Sequence, residues 1–116
     1  MVADNDPDAL DLAVTDLVLE GYDVVAQCYD GTSAIEACLR LRPEVAVLDH
    51  RMPPGPHGLE VAQRLAVEAP EIGVVVFTNY QDPELVTEVR RVGATYAPKG
   101  NLRVLRQAVS NAASRG

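Results

Sequence analysis

The chain reads as an α/β domain on a doubly wound, five-stranded parallel sheet, and three observations predict this. Short β-branched runs alternate with amphipathic stretches five times over. The runs are apolar on both faces, as in strands covered by helices above and below. Right-handed crossovers leave a doubly wound sheet or a closed barrel, and five repeats are too few for the barrel. The expected strand order is the common 2-1-3-4-5. At 116 residues the chain is read as one domain, 1–116, with no room for two independent cores.

Taken in order, the first strand is short, Val2-Ala3. Asp6-Pro7 starts a helix, the aspartate suited to cap it and the proline to its first position. Leu10, Val14, Leu17 and Val18 recur at helical spacing, and Gly21 ends the helix. Asp23 to Cys28 reads as the second strand. Asp30-Gly31-Thr32 then turns into a helix with Ala34, Ile35, Cys38 and Leu39 inward, and Pro43 ends that stretch. Val45 to Leu48 is a continuous apolar strand running into Asp49. A rigid loop, Met52 to Gly58, carries three prolines and precedes a helix packed through Leu59, Ala62, Leu65 and Ala66. Ile72 to Phe77 is the most apolar strand. Asp82-Pro83 repeats the cap-and-proline start, with Leu85, Val86 and Val89 inside and Gly93 at the end. Thr95 to Pro98 forms a fifth strand. Asn101 caps a last helix packed through Leu102, Leu105 and Val109.

Composition excludes several function classes. A formal charge of −7 argues against a dedicated nucleic-acid binder. Cys28 and Cys38 have neither metal-ligand nor redox spacing and read as reduced core thiols. No leader peptide and no apolar run of membrane-spanning length is seen, so a soluble cytoplasmic protein is expected. The charge is uneven. From Val89 onward there are six basic residues (Arg90, Arg91, Lys99, Arg103, Arg106, Arg115) and no acidic one. These form either a solvated face of the last helix or a docking surface for an acidic partner.

In an all-parallel sheet the strands' C-terminal ends share one edge, where ligands bind near the switch in strand order. Those ends carry Asp4-Asn5-Asp6, Asp49, Thr78-Asn79 and Lys99. In the expected order the first and third strands are neighbours, so the acidic ends meet. Two negative charges ~5 Å apart repel by roughly 3 kcal/mol at an effective dielectric of ~20. A divalent cation and the Lys99 ammonium would remove that cost, and few carboxylates with several waters suit Mg²⁺. A nucleophilic carboxylate, a metal, a lysine and a hydroxyl suit phosphoryl transfer.

Val-Leu-Asp-His-Arg-Met-Pro over 47–53, followed by Gly58-Leu59-Glu60, resembles the phosphoacceptor segment of bacterial two-component response-regulator receivers. Val-Ala-Asp-Asn-Asp-Pro at the start resembles the family's acidic pair. Val74 to Thr78, and Gly93-Ala94 through Tyr96 to Lys99, match its threonine and lysine segments. The resemblance runs the whole chain in order and implies a flavodoxin-like (βα)₅ fold. It implies Asp49 as phosphoacceptor, and Asp4, Asn5, Asp49 and the backbone carbonyl of Arg51 around Mg²⁺. Asn5 stands where the family has a second acid, which weakens the metal; Asp6 can compensate if it turns inward, and otherwise caps the helix. Thr78 and Lys99 would hold phosphate oxygens, and Thr78 with Tyr96 would form the switch. The implied partners are a histidine kinase or phosphotransfer protein and a downstream protein or missing effector domain. A homodimer through helix four, strand five and helix five is also implied. The domain is not expected to be an enzyme.

Four departures from the family pattern stand out. They are Asn5, the longer loop in which His57 replaces an acid, the bulky Asn79, and Pro98 before Lys99, which removes a strand donor. His57 reads as a solvated loop histidine. These departures motivate a rival, a phosphorylation-independent receiver acting as an interaction module. A second rival is a haloacid-dehalogenase-type phosphohydrolase using Asp4 as nucleophile, which lacks further acidic ligands after Lys99. Nucleotide or flavin binding is discounted, because the first turn is acidic and not glycine-rich. The small, polar stretch from Ser110 to Gly116 reads as the start of a linker. A domain cut from a longer protein and a stand-alone regulator are equally compatible with it.

Overall fold

A computed structural model describes residues 1–113 as five strands, each followed by a helix. They are β1 (Val2–Ala3), α1 (Pro7–Leu19), β2 (Gln27–Cys28), α2 (Gly31–Leu41), β3 (Val45–Leu48), α3 (Gly58–Glu68), β4 (Gly73–Thr78), α4 (Pro83–Arg91), β5 (Thr95–Pro98) and α5 (Leu102–Ala113). All neighbours pair in parallel, in the order β2-β1-β3-β4-β5. The predicted fold class and strand order are both observed.

Period-two alternation divides the core between the faces of the sheet. Ala46, Leu48, Val74 and Val76 face Ile35, Cys38, Val61, Leu65, Leu85 and Val89 from α2, α3 and α4. Val47, Val75 and Phe77 face Leu10, Leu17, Leu105 and Val109 from α1 and α5. β4, the most apolar strand, is buried along its whole length. The helix starts follow the sequence signals. Asp6 accepts the Asp8 N–H at 3.0 Å, Asp82 accepts the Glu84 N–H at 2.9 Å, and Asn101 accepts the Arg103 N–H at 2.9 Å. Pro98 costs little because β5 lies at the edge of the sheet, and Lys99 N–H resumes the pairing with the Thr78 carbonyl at 3.0 Å.

Several element expectations are corrected. The second strand is Gln27–Cys28 and not Asp23 to Cys28, because its partner β1 offers only Val2 and Ala3 to pair with. In α1, Ala13 is buried and Val18 is 52% exposed. In α3 the inward stripe is Val61, Ala62 and Leu65, with Leu59 half-buried and Ala66 exposed. Alanine in a helix fits either environment, so the pattern alone did not place the stripe's edge. Ser110 to Ala113 continues α5 and is not a linker, whereas Ser114 to Gly116 and the basic Arg115 lie outside the described residues.

Gly73 opens β4 directly beneath α5. A Cβ there would stand 2.6 Å from the Ala112 carbonyl oxygen and 2.9 Å from the Ala112 Cβ. Gly73→Ala is therefore expected to overpack this contact and cost about 1–3 kcal/mol, read as a lower urea midpoint at unchanged slope.

Candidate functional site

Register assembles the site. Ala3 pairs with Leu48, so Asp4 and Asp49 leave adjacent strands side by side, and the Asp49 N–H donates to the Ala3 carbonyl at 2.9 Å. This is the crevice where the order turns from β1 outward in both directions. Thr78 pairs with Pro98, which sets Lys99 at the same rim.

One ammonium joins the two acids. Lys99 Nζ lies 2.5 Å from Asp4 Oδ2 and 3.4 Å from Asp49 Oδ2. Asp4 Oδ1 accepts the Asp6 N–H at 2.9 Å, and Asp49 Oδ1 accepts the His50 N–H at 2.8 Å. Asp4 is only 4% exposed. Burial pushes its carboxyl above the ordinary range, against the opposing pull of the Lys99 bond. Thr78 is equally buried, and its hydroxyl accepts the Tyr80 N–H at 3.1 Å. The Tyr96 hydroxyl donates to the Tyr80 carbonyl at 3.0 Å. Asn5 and Asp6 are exposed, with Asp6 occupied as the cap of α1. Among the described residues no cluster of three or more His, Cys, Asp or Glu side chains is poised to hold a metal.

The loop after Asp49 is a built structure. Gly58 packs against the backbone of Asp49 and His50, where a Cβ would stand 2.9 Å from the His50 Cα and closer still to the Asp49 oxygen. Gly31, at the start of α2, meets the Pro56 carbonyl in the same way. The His57 N–H donates to Glu60 at 3.0 Å. The expectation of a solvated loop histidine at His57 is corrected: its Nδ1 accepts the Met52 N–H at 3.0 Å, and the ring is half-buried. His50 and Tyr80 were not singled out from sequence, and Arg51 was named there only for its backbone carbonyl. The His50 ring lies 5.4 Å from Tyr80 and 5.9 Å from His57, and the Arg51 guanidinium sits 5.7 Å from the Tyr80 ring centre. Burial, then the neighbouring His57 and Arg51, hold His50 below its usual range. No sequence signal marks this cluster, because its members come from two loops whose approach depends on the fold.

The basic stretch is largely spent inside the domain. Lys99 belongs to the site, Arg91 pairs with Glu88 at 2.7 Å, and Arg106 ties α5 to Asp16 and Glu20 of α1 at 3.4 and 3.3 Å. Arg90 and Arg103 remain exposed. Cys28 and Cys38 are buried and unpaired, as expected. No helix among the described residues is long and apolar enough to cross a membrane.

A carboxyl whose folded pKa is raised binds protons more tightly when folded than when unfolded. The stability it contributes is therefore full below the unfolded value and lost as pH rises through the folded one. Relative to wild type, Asp4→Asn should gain stability as pH is raised from about 4, the ordinary aspartate pKa, to 7. Urea denaturation of both proteins at the two pH values tests the sign.

The comparisons agree with this geometry. The family model described as the response regulator receiver domain matches residues 1–109. The oxygen regulatory protein NreC of Staphylococcus haemolyticus is 35% identical over 75 residues, covering 65% of this chain and 35% of that protein. The chain thus matches only about a third of the length of such curated relatives. Among solved structures, the signal receiver domain of NarL from Mycobacterium tuberculosis superposes with a TM-score of 0.91 at 28% identity, covering 99% of this chain and 94% of that one. The isolated receiver domain of RcsB from Salmonella enterica serovar Typhimurium shares the fold, with a TM-score of 0.84 at 23% identity over 94% and 83% of the two chains. The chain belongs to the response regulator receiver domain family of two-component systems.

Proposed function

We propose that this chain is a single receiver domain, 1–116, that accepts a phosphoryl group on Asp49 from a histidine kinase or phosphotransfer protein. The observation that carries the reading is the Lys99 ammonium held between Asp4 and Asp49 at the switch point of the sheet. A carboxylate oxygen of Asp49 attacks the phosphorus of a phosphohistidine. The P–N bond breaks, the imidazole leaves with the electron pair and takes up a proton, and an acyl phosphate remains on Asp49. Lys99 and the Thr78 hydroxyl are the donors assigned to the phosphoryl oxygens. The transfer modifies the domain once and is not enzymatic turnover.

The donor set fits Mg²⁺, which takes one or two carboxylates, some carbonyl oxygen and several waters. Asp4, Asp49 and the Arg51 carbonyl are the assigned ligands, Asn5 a weak one, and Asp6 a ligand only if it gives up its cap. When bound, the ion would neutralise charge building on the transferred phosphoryl oxygens. Output is assigned to Thr78 and Tyr96, linked through Tyr80, and to a downstream protein or an effector domain on a longer chain. A homodimer through α4, β5 and α5 belongs to this reading, although the large exposed apolar side chains of the described residues lie elsewhere, at Leu12, Val18 and Leu19 of α1 among others. The reading places the protein in the cytoplasm, with no direct contact to nucleic acid.

The exposed position of Asn5 favours a second reading, a receiver that binds its partner without phosphorylation. A phosphohydrolase using Asp4 is disfavoured, since both its oxygens are already hydrogen-bonded and the group is buried. Incubation with acetyl phosphate and Mg²⁺, followed by intact mass, separates these readings. One added phosphoryl group, lost in Asp49→Ala, is expected. An unchanged mass, where a control receiver is labelled, would establish the second reading.

A further inference from the structure

His57 is the side chain whose placement the proposed chemistry does not use. Its imidazole turns back five residues along the loop to accept the Met52 N–H on Nδ1, a bond of 3.0 Å, which puts the ring proton on Nε2. The Met52 N–H and the Arg51 carbonyl belong to one peptide unit. That unit is trans, because the cis bonds among the described residues are Pro53-Pro54 and Gly55-Pro56 only. In a planar trans unit the N–H and C=O point in opposite directions, so fixing one fixes the other. The neighbouring carbonyls are already engaged: His50 accepts the Gly58 N–H at 2.7 Å and Met52 accepts the Gly55 N–H at 2.8 Å. The Arg51 carbonyl accepts no hydrogen bond among the described residues. The Arg51 carbonyl is therefore a free, oriented backbone oxygen two residues beyond Asp49.

We infer that His57 is a positioning residue for the metal site, holding the Arg51 carbonyl toward a divalent cation through the shared peptide plane. The inference rests on the proposed Mg²⁺ site and adds a residue that never touches the ion. Groups one step removed from a metal ligand typically change affinity 10- to 100-fold when lost, because they fix the ligand's direction. An oxygen left free to rotate gives up part of its binding to reordering.

The decisive variants are His57→Ala, which removes the acceptor, and His57→Asn, whose side-chain oxygen can stand close to where Nδ1 stood. Calorimetric titration of the full chain with MgCl₂ reads affinity, and the Met52 amide resonance reads the bond itself. His57→Ala is expected to weaken Mg²⁺ about tenfold, while His57→Asn stays within about threefold of wild type. A shifted Met52 amide in folded His57→Ala with unchanged Mg²⁺ affinity would overturn the positioning role while leaving the metal site standing. Equal weakening in both variants would overturn the acceptor argument. A wild-type chain that binds no Mg²⁺ would overturn the metal site and this inference together.

Discussion

One ammonium between two carboxylates is the interaction on which the rest depends. Parallel pairing of β1 with β3 brings Asp4 and Asp49 out of the sheet as neighbours, and without a cation they repel. Lys99 reaches them from β5, separated from β1 by β3 and β4. The sheet order, with the Lys99 N–H still paired to the Thr78 carbonyl, sets this lysine at the rim as the counter-charge of a site built from β1 and β3.

The loops after β3 and β4 are not independent covers over this pair. Tyr80 accepts the Tyr96 hydroxyl through its carbonyl and gives its N–H to Thr78. Its ring stands beside His50 and under Arg51. A displacement of Thr78 toward a new ligand would therefore be felt at β5 and at the loop that follows Asp49, because one residue holds all three. In the proposed switch, coupling between these segments needs a shared element, and Tyr80 supplies it. The surface charge contributes little to it, since Arg106 and Arg91 are committed to local acids.

Fold class, strand order and the convergence of Asp4, Asp49, Thr78 and Lys99 were legible because each follows from a local signal. Apolar runs mark strands, Asp-Pro pairs mark helix starts, and parallel strands put their ends on one edge. Tyr96 was named only through the family resemblance, as a switch residue on the fifth strand, and its bond to Tyr80 was not foreseen. What was hidden depends on long-range packing. The length of β2 is set by β1, which sequence near Asp23 does not mention. Val18 looked like core because valine at helical spacing is read as inward, yet it is 52% exposed while Leu17 beside it is buried. His57 looked like a solvated replacement for an acid, because its bond partner is a backbone N–H and leaves no trace in the sequence.

The substitution at position 5 has a consequence that follows from charge alone. Asp4, Asp49 and Lys99 leave the buried part of the site with one uncompensated negative charge, and an acid at the exposed position 5 would add another at its mouth. The metal-free fold is then easier to hold, since less repulsion has to be offset by burial and hydrogen bonding. The same change removes attraction for a dication. In the proposed Mg²⁺ site, uncharged donors therefore count for more, and with them the direction of the Arg51 carbonyl. An acid at position 57 would have brought a further negative charge into the loop that follows Asp49. The neutral imidazole of His57 orients that peptide and adds no charge to the balance.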